Sequence, residues 1–554
     1  MTELAPEFRP IMRPGVDPAS APHKPPLPPA GYRQEMRAGL LFEQNVPIVL
    51  RDGVEIYADI YRPEGAADLP VLLSWSPYGK HAKSNQVFWP ASGVNPEWLS
   101  PETPFEGPDP VFWCPAGYAV AIVDPRGAWL SGGDFHHNGM TEAQDCAEVI
   151  EFLAARDWAS GMVGMTGVSY LACIQYLVAP LKPPALKALN PWEGFADWYR
   201  EFAFHGGIPE TGFAPRASDN IQYSLNRTEN TWANIQAHPL YNPFWQSKEL
   251  ALEEITQPSY VVASWADQGL HTRGTFEAFR RMASTDKWLE AHGQKKWAHY
   301  YLAESRKRRL AFFDHFLKQP GTVVPAWPKV RLEVRERYGK AQERTASDWP
   351  LPQTDYVRLA LRDDGTMVQG PEGSGTVEYD ATAGRAVFDH VFTERTELTG
   401  YAKLVLEVEA RGASDMDLFV ALEKIDREGD KVGFGFYAFF EDGPVALGWL
   451  RASHRALDPE RSSEFQPFHL HDREELLSEG EKALVEIEIW PSSTLFEAGE
   501  SLRLIVQGRD IYDEGLPNLP FARHESLRNA GTHVLHCERS YLQVPKIPLE
   551  RGAT

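Results

Sequence analysis

Short apolar runs that end in polar or glycine-containing loops constrain the fold of this chain more than any other feature. They include "PVLLSWSPYGK", "YAVAIVDPRGAWLSGGDF", "VGMTGVS", "ALKALNPWEGF", "YVVASWADQG" and "KWLEAHG". Such runs are typical of strands in a parallel sheet that is covered on both faces. Helical stretches lie between them, and "EAQDCAEVIEFLAARDW" places Val149, Ile150 and Leu153 on one face. This alternation predicts an open α/β sheet, whose site lies beyond the carboxyl ends of the strands.

The segments that flank this alternation have different patterns. The first 35 residues are rich in proline, so we expect an extended or disordered arm that forms neither a helix nor a paired strand. Two strand-like runs around Asp52 and Gly53 predict a hairpin. Beyond residue 325, runs such as "AKLVLEVEA", "ALVEIEIW" and "LRLIVQG" have the period of strands. We predict an α/β core at 36–192 and 256–325, a helical cap at 193–255 and a β jelly-roll domain at 326–554.

Composition excludes several classes of function. A chain of 554 residues is too long for one ordinary core, so more than one domain is expected. The net charge of −22 would repel nucleic acid and anionic membrane surfaces, so we expect neither as a partner. No early apolar run follows a basic start, so we predict no secretory signal or membrane span, and a cytoplasmic location. The cysteines lack the spacing of disulfides or metal sites and are interpreted as reduced, mostly buried thiols: Cys114, Cys146, Cys173 and Cys537.

Ser169 lies in "GMVGMTGVSYLACIQYLVAP", between a predicted buried strand and a predicted helix over Leu171–Val178. A sharp strand-to-helix turn presents the serine hydroxyl at the edge of a sheet, as in the nucleophile elbow of α/β-hydrolases. The usual pattern is G-x-S-x-G, whereas Leu171 occupies the last glycine position here. The alternative is a buried serine that caps the helix. The presence of suitable partners decides between these interpretations.

A nucleophilic serine needs a base and an acid that orients the base, and α/β-hydrolases carry them in the order Ser, Asp or Glu, His. Asp267 lies at the end of the strand-like run "SYVVASWADQG", although it could instead cap the next helix. His292 follows the next apolar run and precedes a glycine, and we predict it as the base. The competing histidines are His271, His299 and His315. Of these, His271 is only four residues from Asp267, which we interpret as too close to bridge to a serine on another strand.

Ester or amide cleavage also needs hydrogen-bond donors for the oxyanion. The backbone N–H of Tyr170, next to the nucleophile, supplies the first. The loop "LLSWSPYGK" has no run of glycines, and we predict the phenol of Tyr78 as the second donor. The alternative is that Tyr78 is a tyrosine packed beneath the loop.

The predicted cap and β domain contain further candidate residues. Aromatic side chains could line an acyl pocket or dock the cap on the core, and the predicted pocket residues are Trp192, Phe195, Trp198, Tyr199 and Trp265. Acidic residues in the same region could anchor a free amino group or simply form a solvated face: Glu193, Asp197 and Glu210. The β domain has acidic and histidine residues whose spacing matches no metal motif, namely Asp415, Asp417, His533 and His536, and we assign neither a metal nor another cofactor.

Several of these motifs together resemble the cocaine esterase and X-prolyl dipeptidyl peptidase family, the CocE/NonD hydrolases. They are "SPYGK", "DPRGAWLSGGDF", "GMTGVSYLA", "NPWEGFADWYR", "SWADQGLHTRGT" and "AHGQKKW…RRLAFFDHFLK". The resemblance covers nearly the whole chain and implies an α/β-hydrolase core with a helical cap and a C-terminal jelly-roll domain. It also implies that Ser169 is the nucleophile, Asp267 the acid, His292 the base and Tyr78 the oxyanion donor. Ala172 departs from the glycine of many relatives, which we expect only to tighten helix packing.

Two classes of function follow from this sequence. The favoured one is a serine hydrolase that cleaves a small ester or amide, most readily an ester, with N-terminal X-Pro peptides, α-amino-acid esters and β-lactam acyl groups as alternative substrates. The other is a binding protein that retained the hydrolase fold, with the jelly-roll domain as its working surface. Every expected catalytic residue type is present, which favours the enzyme. The sequence leaves open whether the chain forms a homo-oligomer.

Overall fold

The computed structural model describes residues 4–21, 27, 29–84, 90–318, 321, 323–370, 372–512 and 522–548. Parts of the predicted arm (1–3, 22–26 and 28) and of the predicted β domain (371, 513–521 and 549–554) lie outside the described residues. All four cysteines are buried and outside any disulfide. No helix among the described residues is long and apolar enough to cross a membrane.

The strands of the arm, core and cap follow one another in chain order. They are β1 (Met12–Pro14), β2 (Arg33–Arg37), β3 (Leu40–Val49), β4 (Glu55–Arg62), β5 (Leu69–Trp75), β6 (Ala119–Asp124), β7 (Ala159–Val168), β8 (Leu186–Trp192), β9 (Phe204–His205), β10 (Ile208–Pro209), β11 (Arg227–Glu229), β12 (Ser259–Ser264), β13 (Lys287–His292), β14 (Val330–Arg337) and β15 (Lys340–Ala346). The predicted hairpin forms between β3 and β4, and Gly53 has the positive φ that its turn requires.

The helices cover both faces of the core sheet. They are α1 (Pro110–Trp113), α2 (Met140–Ala154), α3 (Tyr170–Val178), α4 (Phe213–Asn220), α5 (Thr231–Ala237), α6 (Pro243–Gln246), α7 (Thr272–Arg281), α8 (Lys296–Tyr301) and α9 (Ala303–Leu317). Val71 and Leu73 of β5 belong to the apolar cluster that includes α2, whereas Leu72 belongs to the opposite cluster that includes α9. Burial on both faces explains why these strands are continuous apolar runs.

The core sheet has the order β2-β3-β4-β6-β5-β7-β8-β12-β13-β14-β15. Its central strands, from β6 to β14, are parallel, and both flanks are antiparallel. The predicted α/β class is confirmed. The core sheet extends to residue 346, beyond the expected boundary at residue 325, because β14 pairs with β13 before the chain enters the β domain.

The arm is more ordered than the proline content suggests. Strand β1 pairs antiparallel with β11 of the cap, and the backbone N–H of Ile11 donates to Asn234 at 2.9 Å. The expectation of no paired strand is therefore wrong, because the prolines flank the pairing residues Met12 and Arg13 and leave their N–H groups intact. The cap itself, residues 193–255, combines α4–α6 with a π-helix at Trp198–Ala203 and the short strands β9–β11.

The β domain consists of antiparallel sheets that pack around one apolar cluster. Its strands are β16 (Asp355–Leu361), β17 (Met367–Gln369), β18 (Thr376–Asp380), β19 (Arg385–Val391), β20 (Thr396–Arg411), β21 (Asp417–Ile425), β22 (Lys431–Val432), β23 (Phe434–Phe436), β24 (Phe440–Gly443), β25 (Ala446–Arg451), β26 (Ala483–Phe496), β27 (Ser501–Gln507) and β28 (Thr532–Ile547). Strand β20 pairs with both β26 and β28 and is buried on both faces. Leu404, Leu406 and Val408 lie in the cluster, as their alternation predicts.

Candidate active site

Ser169 lies at the carboxyl end of β7, immediately before α3, with φ 59° and ψ −116°. This left-handed conformation is unfavourable for a residue with a side chain and is typical of the elbow that exposes a nucleophile. Gly167 permits the sharp turn, since a Cβ there would lie 2.4 Å from the Cβ of Leu171. The Ser169 side chain caps no backbone N–H of α3, so the predicted elbow, rather than the helix cap, is the observed arrangement.

The histidine that contacts Ser169 is His271. Its Nε2 lies 3.0 Å from Ser169 Oγ, and its Nδ1 hydrogen-bonds to Asp267 Oδ2. A proton on Nδ1 is needed for that second contact, which leaves Nε2 free to accept the serine proton. Ser169, His271 and Asp267 thus form a continuous hydrogen-bonded chain.

The prediction that His292 is the base is therefore wrong on geometry. His292 Nδ1 accepts a hydrogen bond from the backbone N–H of Gln294, and Nε2 lies 3.3 Å from Glu193 Oε1 without hydrogen-bond geometry. Its ring packs against His299, with 3.8 Å between centroids. His299 in turn contacts Glu290 at 2.9 Å, and His315 lies in α9 and accepts from Gly321.

The spacing of Asp267 and His271 was the overlooked signal. The backbone N–H of His271 donates to the carbonyl of Asp267 at 3.2 Å, so the segment makes one helical turn ahead of α7. Side chains four residues apart on such a turn are neighbours. The short separation is therefore no objection to His271, because it lets Asp267 orient the imidazole.

Lys296 adds an element that the sequence interpretation missed. Its Nζ lies 2.7 Å from Asp267 Oδ2 and 3.1 Å from His271 Nδ1. Burial opposes ionisation of Asp267, but Lys296 and His271 outweigh it and hold the pKa of this carboxyl well below its usual range. Burial, assisted by the Lys296 charge, lowers the pKa of His271 to about 4 against the opposing effect of Asp267. The imidazole is consequently neutral at pH 7.

The two predicted oxyanion donors lie beside the nucleophile. Tyr170 is the first residue of α3, where backbone N–H groups have no intrahelical acceptor. The phenol of Tyr78 lines the same cavity as Ser169 and interacts with its side chain. Burial, together with the Glu106 carboxylate, raises the pKa of Tyr78 well above its ordinary value, so the phenol retains the proton that it would donate. The side chain of Tyr170 instead donates to Glu142.

A cavity of about 110 Å³ opens over Ser169 and is bounded by three parts of the molecule. Phe213, Arg216 and Asn220 of α4 contribute the cap wall, and the core contributes Phe105, Glu106 and Trp297. The tip of the β23–β24 hairpin, residues 437–439, closes a third side. The backbone N–H of Tyr437 donates to the carbonyl of Ala266 at 2.8 Å, which fixes the hairpin against the turn that carries Asp267.

None of the five predicted pocket aromatics lines this cavity. Trp192 is fully buried and donates to Asn190, and Trp265 stacks on Phe276 in the core. The other three pack in the cluster between cap and β domain, although Phe195 also stacks on the ring of His271: Phe195, Trp198 and Tyr199. The packing of these three differs from both alternatives, since they line no acyl pocket and dock the cap chiefly against the β domain rather than the core.

The predicted acidic cluster is also dispersed. Asp197 accepts from the backbone of Tyr199 and Arg200, and Glu210 accepts from the backbone of residues 212–214 and 523. Glu193 is buried near Lys296, and burial raises its pKa to about 8. The carboxylate that does line the cavity is Glu106, which accepts from Trp297 at 2.8 Å through Oε1. Burial raises the pKa of Glu106 to about 7.

The candidate metal residues of the β domain contact protein groups. Asp417 pairs with Arg451, and Asp415 accepts from Ser453. His533 contacts Tyr379 and Asn529, and His536 contacts Glu409. No group of three or more potential ligands forms among the described residues.

Comparisons with known proteins agree with this architecture. A family model described as X-Pro dipeptidyl-peptidase (S15 family) matches residues 52–225 and 211–301, and one described as the X-Pro dipeptidyl-peptidase C-terminal non-catalytic domain matches residues 322–543. Among curated relatives, cocaine esterase from Rhodococcus sp. (strain MB1 Bresler) is 27% identical over 69% of this chain and 78% of that protein. A putative Xaa-Pro dipeptidyl-peptidase from Bacillus anthracis is 24% identical over 59% of this chain and 60% of that protein.

Two solved structures extend the comparison. The structure of a CocE/NonD family hydrolase from Staphylococcus aureus is 39% identical, covers 94% of this chain and 97% of that one, and has a TM-score of 0.90. An α-amino acid ester hydrolase has a TM-score of 0.70 at 16% identity, covers 95% of this chain and all of that one, and shares the fold alone.

Proposed function

Because the chain belongs to the CocE/NonD family of hydrolases, we propose that it cleaves carboxylic esters through an acyl-enzyme formed on Ser169. The observation that carries the proposal is the hydrogen-bonded chain from Ser169 Oγ through His271 to Asp267. The name of one relative, cocaine esterase, states that this relative cleaves an ester.

The mechanism follows from the proton positions. His271 Nε2 accepts the Ser169 proton as Oγ attacks the ester carbonyl, and Asp267 stabilises the imidazolium that forms. The same nitrogen then returns the proton to the leaving alkoxide. Water then attacks the carbonyl of the acyl-enzyme, His271 Nε2 accepts the proton of this water and passes it to Ser169 Oγ, and the carboxylic acid is released. The Tyr78 hydroxyl and the Tyr170 N–H would donate to the oxyanion in both halves of the reaction.

An ester fits the cavity better than a peptide with a free amino terminus does. Phe, Trp and Tyr side chains form the largest group in the lining, so an acyl or aryl group gains free energy by apolar burial. A bound ammonium needs a fixed carboxylate partner, since an unpaired charge in a partly dry site is costly. Glu106 is the lining carboxylate, and a pKa of about 7 leaves it largely neutral below that pH.

X-Pro peptides remain the second candidate substrate, and Glu106 is the observation that favours them. Its Oε2 is buried and makes no hydrogen bond of good geometry among the described residues, although the Tyr78 phenol lies close enough to lower the pKa of this carboxyl. An ammonium group that donates to this oxygen would satisfy it and would favour the ionised carboxylate. Comparison of kcat/KM for 4-nitrophenyl butyrate and alanyl-prolyl-4-nitroanilide decides between the two, and we expect the ester to be cleaved faster.

Fluorophosphonate labelling tests the proposal itself, because only an activated serine reacts readily. We expect stoichiometric labelling of Ser169 in the native protein and none in Ser169→Ala. Ser169→Ala should lower kcat by about a million-fold if the three residues act as a unit. Absence of labelling and of ester turnover in the folded native protein would instead favour a binding protein on a hydrolase fold.

A further inference from the structure

Arg216 is a cation that lines the cavity above Ser169. It lies on α4 of the cap, is half-buried, and makes no hydrogen bond or ion pair with any residue that the structure describes. Burial lowers the pKa of its guanidinium, and no neighbouring carboxylate opposes that effect. Arginine nevertheless remains charged at any pH in which a protein functions. A partly desolvated charge of this kind costs free energy until an anion pairs with it.

The position of Arg216 directs it toward a substrate. Phe213, Arg216 and Asn220 are spaced by three and four residues, which places them on one face of α4, and all three line the cavity above Ser169. An aromatic ring, a guanidinium and an amide therefore share the wall that faces the nucleophile. Guanidinium and amide groups donate to carboxylates with complementary geometry.

The other charged groups of the cavity do not compete for this role. Lys296 is held by Asp267 and His271, so its ammonium is already paired. Glu106 accepts from Trp297 and forms no ion pair with Arg216. Arg216 is the lining cation that remains available to a ligand within the part of the chain that the structure describes.

We infer that Arg216 selects esters that carry a carboxylate, either on the acyl group or on the leaving group, by pairing with it across the cavity. The inference rests on the proposed ester hydrolase function and defines its substrate class. It also separates this site from one that would anchor an ammonium group, because a guanidinium in the cap wall repels a cation.

Matched esters test the selection. For the acyl side, the probes are mono-4-nitrophenyl adipate, 4-nitrophenyl hexanoate and 4-nitrophenyl 6-(trimethylammonio)hexanoate. For the leaving-group side, they are 4-acetoxybenzoate, 4-acetoxybenzamide and 4-acetoxybenzyltrimethylammonium. On one of the two sides, we expect kcat/KM of the native protein to favour the anionic over the neutral ester by about ten- to a hundredfold, the scale of a charge-assisted hydrogen bond. The side that shows the preference locates the carboxylate.

Substitutions then attribute the preference to one residue. Arg216→Gln should bring the anionic-to-neutral ratio close to one, and Arg216→Glu should reverse it in favour of the trimethylammonium ester. Arg227→Gln is the matched control, because it removes the same charge from an exposed residue of the cap that pairs with Asp134. This control should keep the native ratio. Circular dichroism verifies that each variant is folded.

A binding measurement separates this inference from the proposed catalytic function. Calorimetry with Ser169→Ala should detect 4-acetoxybenzoate or adipate monoester binding that is lost in Ser169→Ala/Arg216→Gln. Fluorophosphonate labelling with equal kcat/KM for anionic and neutral esters would overturn only the role of Arg216. The role of Arg216 would also be overturned if the preference for anionic esters persisted in Arg216→Gln, or if the native protein preferred the cationic esters. Loss of labelling with intact anion binding would overturn only the hydrolase.

Discussion

His271 and His292 are equally buried and have similarly lowered pKa values, but they make different contacts. Both side chains are 1% exposed, and burial lowers the pKa of each to about 4. His271 lies in the turn before α7 and links Asp267 to Ser169, whereas His292 ends β13 and packs against His299. Burial and a shifted pKa therefore do not identify a catalytic histidine. The identifying feature is the pair of hydrogen bonds that connects a carboxylate to a nucleophile.

The largest expected effect separates the two histidines directly. His271→Ala should lower kcat for 4-nitrophenyl butyrate by about a million-fold, as removal of the base from a cooperating triad does. His292→Ala should cost far less, since its ring touches neither Ser169 nor Asp267 in the observed contacts. Steady-state kinetics on both folded variants provide the test. A fully active His271→Ala variant would contradict the assignment of His271 as the base and would favour His292.

The acid of the triad gives the next largest effect. Asp267→Asn preserves a hydrogen-bond partner for His271 Nδ1 but permits the wrong tautomer, and a loss of about ten-thousand-fold in kcat is expected. Glu193→Gln is the matched change beside His292, and it should lower kcat by less than tenfold. Comparable losses in the two variants would show that the buried carboxylates act together rather than through His271.

The oxyanion donor is expected to have a smaller effect. Tyr78→Phe should lower kcat by about a hundred- to a thousandfold with little change in KM, because the donor acts when charge has developed on the carbonyl oxygen. Tyr57→Phe, which removes a hydroxyl that donates to Glu55 instead, is the control. An increase in KM alone would show that Tyr78 only lines the cavity and is not an oxyanion donor.

The smallest effect concerns the pH dependence. A neutral His271 is required for proton transfer, so kcat/KM should fall as pH decreases through about 4, rather than between 6 and 7 as an unperturbed histidine would give. Lys296→Met removes a charge that lowers this pKa, so the acidic limb should move to higher pH, and kcat at neutral pH should fall roughly tenfold. His292→Gln should leave the limb near pH 4. A limb that moved in His292→Gln but not in Lys296→Met would contradict the role of His271.

The sequence by itself determined the elements that local chemistry controls. Continuous apolar runs predict a sheet buried on both faces, and small residues followed by a helix-forming run predict a sharp turn at Ser169. The strand-end position of Asp267 follows from the same pattern. Tyr78 and the N–H of Tyr170 could be named as donors because each is one short step along the chain from a strand end. Whether they donate to an oxyanion stays a prediction.

Only the tertiary structure decided which residues meet across the cavity. The choice between His271 and His292 depends on the direction in which each backbone turn projects its side chain, and chain order does not encode that direction. Two of the three walls of the cavity come from α4 and from the β23–β24 hairpin, and Tyr437 of that hairpin is more than 250 positions from Ser169, so local patterns could not assign them. The aromatic residues named from the cap segment are buried against the β domain for the same reason. Contacts between distant segments are set by packing, which a local pattern does not specify.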